Sequence, residues 1–122
     1  MALSVTLVTA TAGGLYGQPA QVAVKGGGGW LRVRVATLTG DAAYPSGSAG
    51  GYAVTASTFQ LYNQILGIQR IATSGTQVPY PEFDYGSNVI RFYDGSTNTT
   101  PSEVASGTSL SAVTWRVLVW GN

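Results

Sequence analysis

A chain of 122 residues has room for one hydrophobic core. Charged residues are only 9% of it and the net charge is +1, so it offers no basic stripe to a nucleic-acid backbone and no polybasic patch to an anionic membrane; neither partner is expected. Cysteine and histidine are both absent, which excludes disulfides, zinc thiolate sites, thiol nucleophiles and the commonest general base together.

With 44% hydrophobic residues and 17 glycines, the exterior must be built largely of Ser, Thr, Gly and uncharged aromatic residues, poor protection for a soluble monomer and therefore a surface for partners. The opening Met1-Ala2-Leu3-Ser4-Val5-Thr6-Leu7 has no basic region and no long apolar run, which predicts synthesis in the cytoplasm without a secretory signal or spanning helix. Leu3 to Thr9 alternates as a first strand, and Gln21 to Lys25 fits a second. Gly26-Gly27-Gly28-Gly29 then predicts a turn tip. A phosphate-cradling loop would need Lys and Ser or Thr at fixed offsets and a helix to follow, whereas Trp30-Leu31-Arg32-Val33-Arg34-Val35 reads as a strand. Its alternation puts Leu31, Val33 and Val35 on the core face and Trp30, Arg32 and Arg34 on the other. The two arginines, about 7 Å apart there, form a solvated face or a dock for carboxylates of a neighbouring subunit.

Asp41 to Gly51 is a long loop of small residues around Tyr44-Pro45, a rigid turn with a cis or trans bond. Thr55 is placed as the N-cap of a short helix that ends before Gly67. Ile68 to Thr73, Val78 to Phe83 and Asn88 to Tyr93 are three more strands, the middle one confined to a sheet edge by Pro79 and Pro81. Asp94-Gly95 is a hairpin dipeptide. The last strand, Ser109 to Trp120, carries Val113, Trp115, Val117 and Val119 on one face, with Leu118 and Trp120 making the other apolar as well, so it is expected inside a sheet with a second covering. Short strands at intervals of about ten residues describe one all-β domain, a sandwich or barrel with a single short helix.

Candidates for chemistry are few. Glu82 and Asp84 share a strand face, but alternate residues on one short strand do not flank a substrate from opposite sides as a glycosidase pair does. Asp94-Gly95-Ser96-Thr97-Asn98 has some of the oxygen ligands of a calcium loop and reads better as a turn, and Asn98-Thr99-Thr100 matches a glycosylation acceptor without a secretory context. No catalytic residue, metal or cofactor is expected. The three tryptophans and seven tyrosines leave a sugar-stacking platform as an alternative function, although no Asp, Asn or Arg cluster adjoins them in sequence.

The run Glu103-Val104-Ala105-Ser106-Gly107-Thr108-Ser109-Leu110-Ser111-Ala112-Val113-Thr114-Trp115-Arg116-Val117-Leu118, with Tyr93-Asp94-Gly95 before it, resembles the ending of small tailed-bacteriophage virion proteins of the head-decoration or cement type. The middle agrees in order: the strand Leu31 to Leu38, Asp41, Tyr44-Pro45-Ser46-Gly47, Thr55, and Leu66-Gly67-Ile68. The resemblance spans roughly Gly29 to Trp120, with 10–28 as an inserted loop or arm and Gly50-Gly51 lengthening the Tyr-Pro loop. It implies a jelly-roll-like antiparallel β-sandwich, a non-enzymatic virion protein on the outside of a phage head, a homotrimer, and the major capsid protein as partner; a tail or fibre component is the alternative. The residues expected at the partner interface are Leu15 and Tyr16 in the insert, Trp30 at the glycine tip, Arg32 and Arg34, Tyr44 and Tyr52 in the long loop, and Trp120.

Overall fold

The alternating segments pair into two antiparallel sheets that face each other across one core. The computed structural model describes residues 3–8, 21–26, 29–46, 50–74, 79–94 and 102–122, with the backbone alone for 21–26, 29–30 and 73–74. The strands are β1 (Ser4–Leu7), β2 (Gln21–Gly26), β3 (Gly29–Thr39), β4 (Tyr52–Ala53), β5 (Ile65–Ser74), β6 (Pro79–Asp84), β7 (Val89–Asp94), β8 (Ser102–Glu103) and β9 (Thr114–Gly121). The five-stranded sheet has the order β1-β3-β9-β5, with β2 also paired to β3; the four-stranded sheet has the order β4-β7-β6, with β8 also on β7. The C-terminal strand thus lies inside its sheet, and the proline-bearing β6 is an edge, as its missing N–H donors require. Strands β2 and β3 pair as far as Gly26, which faces Gly29; Gly27 and Gly28 of the expected turn tip lie outside the described residues.

Trp115, Val117 and Val119 point inward from β9 and are fully buried. Across from them stand Ile90, Phe92 and Tyr52 of the smaller sheet, and the rings of Phe92 and Trp115 approach to 4.5 Å between centroids. Each such side chain contributes about 1.5–3 kcal/mol by leaving water. The Trp115 Nε1–H also donates to the Pro79 carbonyl at 2.7 Å, tying the edge strand to the core.

The inward face of β3 is the reverse of the one its alternation predicts. Arg34, Ala36 and Leu38 are buried, while Leu31, Val33 and Val35 lie half-buried on the outer face. The register explains it. Leu38 is opposite Trp115, Ala36 opposite Val117 and Arg34 opposite Val119, and directly opposed residues share a face, so the bulky inward set of β9 selects the even-numbered face of β3. Arg34 is drawn in with it. One of its amino groups donates to the Gln60 carbonyl at 3.1 Å, its buried Nε meets no acceptor among the described residues, and burial, reinforced by the neighbouring Arg32 charge, lowers its pKa.

The expected helix is shorter than its apolar spacing predicts. Thr55 does cap it: its N–H donates to Thr58 Oγ1 at 3.1 Å, and the Thr58 N–H returns to the Thr55 carbonyl at 3.0 Å. Only one 3₁₀ turn follows, Ala56–Phe59, because Phe59 drops into the core and Gln60 adopts a left-handed conformation, φ 54°, that stops the turn. The chain is therefore free to start β5 at Ile65, three residues before the predicted strand.

Tyr44 and Tyr52, expected at a partner interface, are core residues, 0% and 3% exposed. Their rings meet edge-on at 5.5 Å, and each stands edge-on to Phe92 at 5.9 Å. The Tyr44 hydroxyl donates to Glu103 Oε1 at 2.8 Å and accepts from the Phe92 N–H at 3.0 Å; its backbone N–H donates to the Thr108 carbonyl, and its carbonyl accepts from Gly107 N–H, both at 2.9 Å. Tyr52 donates to Asp41 Oδ1 at 2.8 Å, and the Asp41 carbonyl takes the Leu110 N–H, also at 2.8 Å. Tyr44-Pro45 is trans, and Tyr44 anchors this part of the chain in the core.

Burial, reinforced by the hydrogen bond to Asp41, pushes the Tyr52 hydroxyl up to about 12, and burial raises Tyr44 further. Both phenols stay neutral in the fold but titrate near ~10 in the unfolded chain. Their stabilisation is therefore complete below about pH 10 and is lost as pH rises through the folded-state values. The urea midpoint is expected to fall between about pH 10 and about pH 12, and less steeply in Tyr52→Phe; identical slopes for the two proteins would contradict the assignment.

Candidate functional site

Because Trp115, Val117 and Val119 face the core, Leu118 and Trp120 face outward. Register puts Val33 opposite Trp120 and Val35 opposite Leu118, and next to Val33 along β3 comes Leu31. These five half-buried side chains form an apolar stripe on the outer face of the five-stranded sheet, running from β3 onto β9. On the far side β5 meets Trp120 with Gly67. A Cβ at Gly67 would sit inside the indole ring, so only glycine lets Trp120 lie flat across β5. The stripe ends where Thr37 faces Arg116. Two bulges in β5, at Ile65/Gly67 and Arg70/Ala72, interrupt the ladder, and the residues inside them, Leu66 and Ile71, are about half exposed. On the opposite face of β3, Arg32 stacks over Tyr62, its guanidinium carbon 4.6 Å from the ring centroid, and Tyr62 is 81% exposed.

The outer face of the four-stranded sheet is different in kind. Register places Tyr80 opposite Tyr93 and Glu82 opposite Arg91, with Asp84 next along β6. These residues and Tyr85, at the tip of the β6–β7 turn, line an open groove of about 450 Å³. The Tyr80 and Tyr93 rings lie 6.0 Å apart, inclined by 30°. Arg91 is held between two carboxylates, its Nη1 3.3 Å from Glu103 Oε1 and its Nε 3.7 Å from Asp84 Oδ2. Asp84 in turn accepts from Ser87 Oγ at 2.6 Å and from the Gly86 N–H at 3.0 Å; the Ser87 bond first, and these neighbours with it, hold its carboxyl below the usual range.

Of the residues predicted for a partner interface, Trp120 lies on the outer stripe, whereas Arg32 points to the opposite face of β3 and stacks over Tyr62. Arg34, Tyr44 and Tyr52 are buried. The Trp30 side chain, Leu15 and Tyr16 lie outside the described residues, as do Ser96-Thr97-Asn98 of the calcium-like loop and the whole of Asn98-Thr99-Thr100. Asp84 is engaged by Ser87 and Arg91, and among the described residues no three Asp or Glu side chains gather as a metal site. Two groups went unread in the sequence: the outward set Leu31, Val33 and Val35, and the groove tyrosines with Arg91. The second had a signal in it. Tyr80, Glu82 and Asp84 alternate on one strand and Arg91 and Tyr93 on the next, so a tight turn at Tyr85–Asn88 brings them to one face. Family models, curated proteins and solved structures give no match to this chain.

Proposed function

We propose that this chain is a non-enzymatic structural protein of a tailed-bacteriophage virion, a decoration protein that docks on the major capsid protein outside the head and assembles there as a homotrimer. The observation that carries the reading is the apolar stripe of Leu31, Val33, Val35, Leu118 and Trp120 on the outer face of the five-stranded sheet. In a chain with so little charge, such a face gains by leaving water and has few ions to desolvate. The sequence resemblance supports the same reading. Its two separate pieces, the Tyr44-Pro45 loop and the Glu103 to Thr108 run, are joined in space by the hydrogen bonds of Tyr44 and so behave as one structural motif.

A protein of this kind needs no turnover. It bridges neighbouring shell subunits, so that separating them also exposes the bridged surface, and shell symmetry multiplies a modest contact. The test is co-sedimentation of the purified protein with phage heads assembled from the major capsid protein, together with its mass in solution by light scattering. We expect saturable binding and a mass near three chains. Val35→Lys, which puts a charge into the stripe without touching the core, is expected to abolish sedimentation with heads while leaving the circular dichroism unchanged. Absence of wild-type binding, or undiminished binding of Val35→Lys, would remove the proposal.

A further inference from the structure

We infer that the groove on the outer face of the four-stranded sheet binds a neutral oligosaccharide, with Tyr80, Tyr93 and Tyr85 as stacking surfaces and Arg91, Asp84 and Glu82 as hydrogen-bonding groups. A pyranose ring presents an apolar C–H face and an equatorial rim of hydroxyls, and it is held best by an aromatic ring beneath and planar, fixed donors and acceptors at the side. The groove has both. Tyr80 and Tyr93 face each other across adjacent strands with rings inclined by 30°, and the open 450 Å³ trough is continued by Tyr85, which is 82% exposed.

Two of the three polar groups, Arg91 and Asp84, are set before any ligand arrives. Arg91 is fixed by Glu103 at 3.3 Å and by Asp84, and Asp84 is fixed by Ser87 and the Gly86 N–H, so little side-chain freedom remains to be lost on binding. Charge narrows the ligand class. One guanidinium stands among three carboxylates, Glu82, Asp84 and Glu103, which repels phosphate, sulfate and uronic or sialic acids and leaves neutral sugars. The fold contributes one more point, which rests on the function proposed above: if the five-stranded sheet lies against the shell, the groove is on the opposite face of the sandwich and looks away from it.

The experiment uses the isolated full-length protein, so its result does not depend on heads. A printed glycan array is probed first, then cellotriose, maltotriose and chitotriose are titrated against ¹⁵N-labelled protein. Binding in the millimolar range is expected, with shifts confined to β6, β7 and the Tyr85 turn. Tyr80→Ala and Tyr85→Ala should each weaken it about tenfold. Tyr85, being so exposed, can be replaced without threatening the fold. No binding to any array glycan or trisaccharide, binding to acidic glycans alone, or binding indifferent to both substitutions would each overturn the inference.

Discussion

Tyr44→Ala is expected to cost about 3–5 kcal/mol, enough to leave the domain largely unfolded if its total stability is near the lower end of the usual range. The side chain is wholly buried between the rings of Tyr52 and Phe92, so its removal leaves a cavity that neighbouring backbone cannot fill. It also breaks two hydrogen bonds: the Phe92 N–H loses its acceptor, and Glu103 loses the Tyr44 hydroxyl while keeping Arg91. Tyr44→Phe separates the two contributions. It keeps the ring contacts and removes only the hydroxyl, and about 1–3 kcal/mol is expected from the buried Phe92 N–H left unpaired. Urea unfolding of the three proteins measures both. A Tyr44→Ala protein within about 1 kcal/mol of the parent, but defective on phage heads, would return this residue to the interface and remove it from the frame of the fold.

That misplacement of Tyr44 shows where sequence stops being informative. A loop of Ala, Ser, Gly and Pro around one tyrosine reads as surface, because loops ordinarily run over it. Nothing local reveals that Gly107 and Thr108, sixty-odd residues on, wait to take its backbone hydrogen bonds. Strand β9 was legible for the opposite reason: Val113, Trp115, Val117 and Val119 form an inward set with no competitor of equal size. Pro79 and Pro81 marked an edge because the missing donors act wherever the strand lies. Strand β3 has two apolar faces, and local size favours Leu31, Val33 and Val35 over Ala36. Only pairing with β9 decides between them, and it decides for the smaller set plus a buried arginine. Thr55 was rightly placed as a cap, yet one left-handed residue, Gln60, ended the helix that the spacing extended. The groove was half legible, its members alternating correctly on two strands whose pairing had to be known before they became one site.

Trp120 is where fold and proposed function separate most cleanly. Trp120→Ala removes an outward side chain that covers Gly67 but supports no part of the inner core, so a cost of about 1–2 kcal/mol in stability is expected. Docking on heads should suffer far more. A large aromatic at the end of an apolar stripe has the character of an interface anchor, and loss of about 2–4 kcal/mol corresponds to a roughly 30- to 1,000-fold weaker dissociation constant. Gly67→Ala supplies an independent check, because it alters no residue of the stripe. Its methyl group occupies the space of the indole, which must lift off β5, and overpacking is expected to cost about 1–3 kcal/mol while docking weakens in parallel. In a protein already carrying Trp120→Ala the same substitution meets no ring and should be nearly neutral, since alanine is less costly to order in a strand than glycine. Measured as a double-mutant cycle in both urea unfolding and head binding, the two substitutions are expected to be strongly non-additive. Simple additivity in head binding would mean that the orientation of Trp120 over Gly67 has no part in docking, and that the stripe acts without its aromatic end.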